Sequence, residues 1–366
     1  MTLLLDAWRW PTLLLRYTPA QHDLLLRQAA SAQLLAMLAA RVRRAGVDAY
    51  LPPPVQRHFE WAERQGRHHA LAVRWEVRQI RQALAGLETP LVLLKGAAYL
   101  LAGLDAAEGR RFSDIDILVP ASRLPDVEAA LMLHGWADCG QDAYDQSYYR
   151  RWMHELPPMR HVQRGTMIDV HHEIVAPGAT VQRAGAALRA AALTLPTTEH
   201  HQDWAAVQVL APADMVLHSA THLLSDSEFG AGLRNLADLD NLLAGFGHLA
   251  GFWPQLALRA QELELAPPLC YALGAAQQML GTALPAGFID RLGPARPGAL
   301  PSLAMQWLLV RALMPTHASC IMPTHRLARQ LLFLRATWLR MPPWPLTRHL
   351  CRKAFITPWQ RVGRGT

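Results

Sequence analysis

Two aspartates one residue apart, Asp114 and Asp116, lie in the run Asp114-Ile115-Asp116-Ile117-Leu118-Val119. In an extended chain successive side chains alternate, so both carboxylates share one face. Ile115, Ile117 and Val119 then point the other way, into a core. Like charges side by side at a buried strand end repel each other. A bridging divalent cation removes that repulsion, and oxygen-only ligands suit Mg²⁺ or Mn²⁺. A second alternating run, Met167-Ile168-Asp169-Val170-His171-His172-Glu173-Ile174-Val175, puts Asp169, His171 and Glu173 opposite Ile168, Val170 and Ile174. His171 is the candidate to orient a phosphate or a carboxylate, and His172 points inward. Each run alone also fits an ordinary strand with one polar face.

Such carboxylates need elements to position them. Leu91 to Leu94, after Pro90, reads as a short buried strand. It ends at Lys95-Gly96, where a segment rich in Ala and Leu begins a helix that closes at Asp105 to Gly109. The acidic strand then opens at Arg111. This order sets helix N–H groups and a cation beside the carboxylates, which is a cradle for a triphosphate. The chain has 34 Arg but only two Lys, Lys95 and Lys353. A lysine at this turn supplies a compact point charge for phosphate.

The pattern Lys-Gly, helix, Arg-x-x-Asp-Ile-Asp-Ile-Leu-Val resembles the DNA-polymerase-β-like nucleotidyltransferase superfamily. It is most similar there to uncharacterised bacterial nucleotidyltransferase family proteins, over roughly residues 89–240. Abortive-infection toxin nucleotidyltransferases are similar at the same motifs. The resemblance implies an α+β fold, a small mixed β-sheet core embedded in a mainly helical protein. It also implies a metal-dependent enzyme that moves a nucleoside monophosphate from an NTP to an acceptor hydroxyl and releases pyrophosphate. Asp114 and Asp116 would bind Mg²⁺ (or Mn²⁺). Asp169, on the later Ile-Asp-Leu-His-like strand, would be the third carboxylate, metal ligand and base. Lys95, Gly96, Arg111 and Arg234 would contact the NTP. The chain departs from the pattern at Lys95-Gly96-Ala97, where most of the superfamily carries Gly-Ser or Gly-Gly with a phosphate-binding hydroxyl. A nucleotide-binding scaffold of a biosynthetic cluster, and a toxin-like enzyme acting on tRNA, are the alternatives.

At 366 residues, half of them apolar and 18% charged, the chain is globular rather than disordered. Cys139, Cys270, Cys320 and Cys351 are scattered, which implies neither a disulfide framework nor a zinc site and makes a reducing cytoplasm the simpler home. The apolar N-terminus is interrupted by Asp6, Arg9 and Pro11, and no membrane span is evident. Charge is uneven. Residues 291–366 hold 12 Lys and Arg and no acid, while residues 1–290 hold 24 basic residues against 29 acidic.

Four regions follow: helical residues 1–88, a nucleotidyltransferase domain over 89–205, a helical domain over 206–320, and a basic tail from 321 to 366 bearing Trp and Pro. The first contains a helix over 20–45 and another over 55–87, with Trp61, Ala72, Trp75 and Ile80 as buried positions and His68-His69 on a solvated face. A helix over 122–134 opens at Ser122 and closes at Gly135. Aromatics from Tyr144 to Trp152 either line a pocket or pack on the sheet. His218, His222 and Asp226 recur at helical spacing, as a metal-holding set or a polar stripe against the catalytic domain, and Arg234 with Asp238 stands at a spacing that permits pairing. The tail carries Arg326, Arg329, Arg335 and Arg340 among Trp338, Trp344 and Trp359. That mixture suits RNA or an anionic membrane surface, or simply a solvated helix. The acceptor (RNA, protein or a small molecule) is not encoded in any motif.

Overall fold

The computed structural model describes residues 2–139, 143–175, 184–196, 204, 206–225, 229–341 and 344–347. Ahead of the sheet come α1 (Leu3–Arg9), α2 (Pro19–Ser31), α3 (Leu35–Arg44) and α4 (Pro53–Ala83). The sheet region holds β1 (Leu91–Leu93), α5 (Lys95–Leu101), β2 (Ile115–Leu118), α6 (Leu124–Leu133), β3 (Trp136–Asp138), α7 (Ala143–Trp152), β4 (Met159–His161), β5 (Met167–His171), α8 (Ala184–Ala190), β6 (Leu193–Thr194) and β7 (Val207–Val209). After it come α9 (Pro212–Ser225), α10 (Gly232–Phe246), α11 (Phe252–Glu262), α12 (Ala266–Leu280), α13 (Phe288–Arg291), α14 (Ala299–Ala312) and α15 (His325–Arg340).

The fold is α+β. Among the described residues seven strands form one mixed sheet in the order β3-β4-β5-β2-β1-β7-β6. β2 runs antiparallel to β1 and parallel to β5, so the two acidic strands are neighbours. Ile115, Ile117, Ile168 and Val170 are buried, as alternation requires. The acidic strand begins at Ile115 rather than Arg111; residues 111–114 form an irregular approach to it.

Helices before and after the sheet share one contiguous apolar core with it. α9 packs on α5, α10, α11 and α12, which brings the polar groups of α9 and α10 to the start of α5. Among the described residues no helix is long and apolar enough to cross a membrane. Cys139, Cys270 and Cys320 are free thiols; Cys351 lies outside the described residues.

Several local expectations are corrected. The helix expected over 20–45 is two helices, α2 and α3, broken at Gln33, whose φ of 58° is left-handed. That conformation costs a non-glycine residue about 1–2 kcal/mol. A charge-assisted bond from Arg234 Nη1 to Gln33 Oε1, 2.7 Å long, is of the size that offsets it, about 1.5–3 kcal/mol. On α4 the buried stripe is Val55, Phe59, Ala62, Val73, Val77 and Ile80; Trp61, Ala72 and Trp75 are exposed. The Trp75 ring instead lies under the Arg164 guanidinium. His69 is half-buried, not solvated: its Nε2 accepts from Phe112 N at 3.1 Å, and the two rings stack. α6 starts at Leu124 with Pro125 in its first turn, and Ser122 does not cap it.

Candidate active site

The register of β2 on β5 sets Asp116 directly beside Asp169. Asp114 stands just before β2, and carboxylate oxygens of all three lie within 4.8 Å of one another. Lys95 opens α5 in a left-handed conformation, φ 46°. A bond from Leu94 N to the Asp116 carbonyl ties that turn to the acidic strand. Lys95 Nζ lies 2.5 Å from Asp116 Oδ1, and His171 Nε2 lies 3.0 Å from the same oxygen.

These contacts divide the carboxylates electrically. Burial pushes the Asp116 carboxyl up, but Lys95 and His171 together hold it well below the usual range. Burial likewise opposes the Lys95 charge, and Asp116, Asp114 and Asp169 carry its pKa above the ordinary value. Asp169 goes the other way: burial first, then the charges of Asp116, Glu155 and Asp114, raise it well above 3.8. Its Oδ1 is buried and has no hydrogen-bond partner.

A cavity of about 500 Å³ opens over this cluster, lined by Lys95, Asp114 and Asp169 together with Arg110, Arg234 and Arg340. Arg110 Nε donates to Asp238 Oδ2 at 2.8 Å in a buried ion pair. Asp238 therefore pairs with Arg110 and not with Arg234, contrary to the spacing on α10. Gly96 serves the same guanidinium: a Cβ there would clash with Arg110 and come within 2.6 Å of Phe112 Cδ1. Arg111 is exposed and does not line the cavity; its carbonyl accepts from Arg234 Nη1 at 3.2 Å.

Behind Lys95 lie two histidines of α9. Burial, and then the Lys95 charge, lower His218 to about 3 and His222 well below 6.5, so both are neutral. His222 and Tyr149 reach the cavity lining. Asp226 lies outside the described residues. His171 is the buried member of its pair: it lies on the face of Asp169, bonds Asp116 and is covered by the stacked His154 ring, while His172, beyond the end of β5, is half-buried.

The tail helix α15 uses three of its four arginines internally, and Arg326 is exposed. Arg329 Nε donates to the Ala312 carbonyl at 3.0 Å, Arg335 lies over Tyr271, and Arg340 donates to the Ser225 carbonyl. Its exposed face carries Leu327, Leu331, Leu334 and Trp338. Lys353 and Trp359 lie outside the described residues.

The three carboxylates fit a hard divalent cation. They are oxygen-only donors at mutual reach, and the orphaned Asp169 Oδ1 lacks the partner that a buried polar atom requires. Sequence reasoning missed Gln33, Arg110 and Arg340 in this lining. Arg110 was one residue from the motif arginine, whereas Gln33 and Arg340 are brought in by tertiary packing and have no local signal.

A family model described as an uncharacterised nucleotidyltransferase matches residues 18–281. No curated protein and no solved structure matches the chain. The match takes in α2 to α4 as well as the sheet and continues through α12. The chain belongs to this family of uncharacterised nucleotidyltransferases, and its supported role is transferase chemistry on a nucleotide.

Proposed function

We propose that the cavity binds an NTP and transfers its nucleoside monophosphate to an acceptor hydroxyl. The observation that carries this reading is the side-by-side register of Asp116 and Asp169, with Asp114 in reach. A volume of about 500 Å³ lies in the range of small-ligand sites. Asp114, Asp116 and Asp169 would hold Mg²⁺ or Mn²⁺, which when bound supplies positive charge to the reacting phosphate oxygens. Lys95, Arg110, Arg234 and Arg340 supply cations for the triphosphate, and Gly96 lets Arg110 approach the turn. Asp169, beside Asp116 in the register, would take the proton of the acceptor hydroxyl. The hydroxyl oxygen forms a bond to the α-phosphorus. The bond from that phosphorus to the bridging oxygen breaks, and pyrophosphate leaves with the electron pair.

A nucleotide-binding scaffold is the second reading. One observation favours it: Lys95 pairs with Asp116 and offsets its charge. Incubation with α-labelled NTPs and acceptors of each class (RNA, protein, small hydroxyl compounds) separates the two. Label transfer lost in Asp169→Asn supports the enzyme; binding without transfer to any acceptor supports the scaffold.

A further inference from the structure

We infer that His154, Glu155 and His171 form a second metal site, separate from the three aspartates, for a nitrogen-preferring divalent ion such as Zn²⁺. One ligand atom from each lies within 4.8 Å of the other two. Two imidazoles and one carboxylate form a donor set that suits Zn²⁺ or Co²⁺ rather than Mg²⁺.

Orphaned atoms carry the inference. His154 Nδ1 and His171 Nδ1 are both buried with no hydrogen-bond partner, and the residues are 9% and 2% exposed. His171 Nε2 faces Asp116 Oδ1 at 3.0 Å. A carboxylate oxygen can only accept, so Nε2 carries a hydrogen and Nδ1 is the nitrogen left to ligate an ion. Nδ1 lies 3.2 Å from Glu155 Oε2, so both ligand atoms are within reach of one ion. The arrangement Asp116–His171–metal is the one in which a carboxylate fixes a ligating imidazole.

The ligands are held before any ion arrives. Glu155 bridges His171 across the backbone, Leu156 N donates to the Val170 carbonyl at 2.9 Å, and His172 N donates to the His154 carbonyl at 2.9 Å. The two imidazoles stack with centroids 5.4 Å apart. All three residues also line the cavity, so a fourth position is open to water or substrate. The two sites adjoin: His171 bonds Asp116, and the Glu155 charge acts on Asp169.

The test is Co²⁺ titration of metal-stripped full-length protein, read by visible absorption, with Zn²⁺ competition and circular dichroism as a folding check. The expected result is one tightly bound Co²⁺ with nitrogen-ligand bands, displaced by Zn²⁺. His154→Gln and Glu155→Gln should each weaken it by more than about tenfold, the scale of losing even a supporting contact. Asp114→Asn should keep the bands. No such bands in wild type, or bands unchanged in folded His154→Gln, overturns the site. Loss of Co²⁺ binding with intact Mg²⁺-dependent NTP binding rejects this site alone. The reverse pattern rejects the nucleotidyl-transfer reading alone.

Discussion

Lys95 Nζ sits 2.5 Å from Asp116 Oδ1, on the carboxylate that the acidic motif would offer to a metal. The Lys95 side chain is 14% exposed and that of Asp116 3%, so solvent screens the pair weakly. Breaking a buried pair from one side costs about 3–5 kcal/mol. Lys95→Met should lose stability of that order in metal-free buffer, leaving Asp116 with His171 alone. Added Mg²⁺ should then stabilise the variant more than wild type, because an oxygen has been freed. Equal Mg²⁺ effects in thermal melts would count against a cation at Asp116.

Gly96→Ala tests why the turn carries glycine. Helix propensity alone favours alanine by about 1 kcal/mol. The added Cβ meets Arg110 and Phe112, and overpacking typically costs about 1–3 kcal/mol. The net expectation is a less stable protein with weaker NTP binding. A more stable variant with unchanged binding would show that Arg110 moves freely.

Asp169→Asn addresses the raised carboxyl. The folded state keeps that proton above 3.8 while the unfolded chain releases it, so Asp169 lowers stability as pH rises through that window. Without divalent metal, the variant should be more stable than wild type at neutral pH. The gap should close as pH falls toward 3.8. Mg²⁺ should stabilise wild type only. Urea unfolding at several pH values reads all three, and a variant less stable at neutral pH would contradict the repulsion.

His154, His218 and His222 are held neutral by burial, their folded affinities for protons below the ordinary 6.5. As pH falls through 6.5 the unfolded chain takes up protons that the fold refuses. For His218 the loss continues to about 3. Each histidine contributes a slope of about 1.4 kcal/mol per pH unit in its window. The raised carboxyls of Asp169, Glu173, Asp214 and Asp238 act in the opposite direction. The histidine loss therefore shows most clearly at about pH 6, below the ordinary imidazole value and above most carboxylate titration. Stability flat from neutral pH to pH about 5 would show that these imidazoles reach water.

The strands near residues 91, 115 and 167 were legible because each alternates or runs apolar between clear breaks. Parity put Asp114 with Asp116 on one face and Asp169 on the polar face of its own run; that the two runs are neighbouring strands was implied only by the family resemblance. What stayed hidden depends on distant partners. The break at Gln33 has no glycine or proline to mark it and is held by Arg234, 201 positions away. Asp238 chose Arg110, 128 positions away, over its helical neighbour Arg234. Trp61 and Trp75 read as core by residue type, yet the buried stripe of α4 passes beside them. His154 and Glu155 lie in an irregular segment pinned to the end of β5, which no periodicity reveals.

Calorimetric titration of the four NTPs with Mg²⁺, for wild type and Asp114→Ala/Asp116→Ala, tests the central claim most directly. The account predicts Mg²⁺-dependent binding of at least one NTP by wild type and none by the folded double variant. Failure of every NTP to bind folded wild type, or equal binding by both proteins, would contradict it.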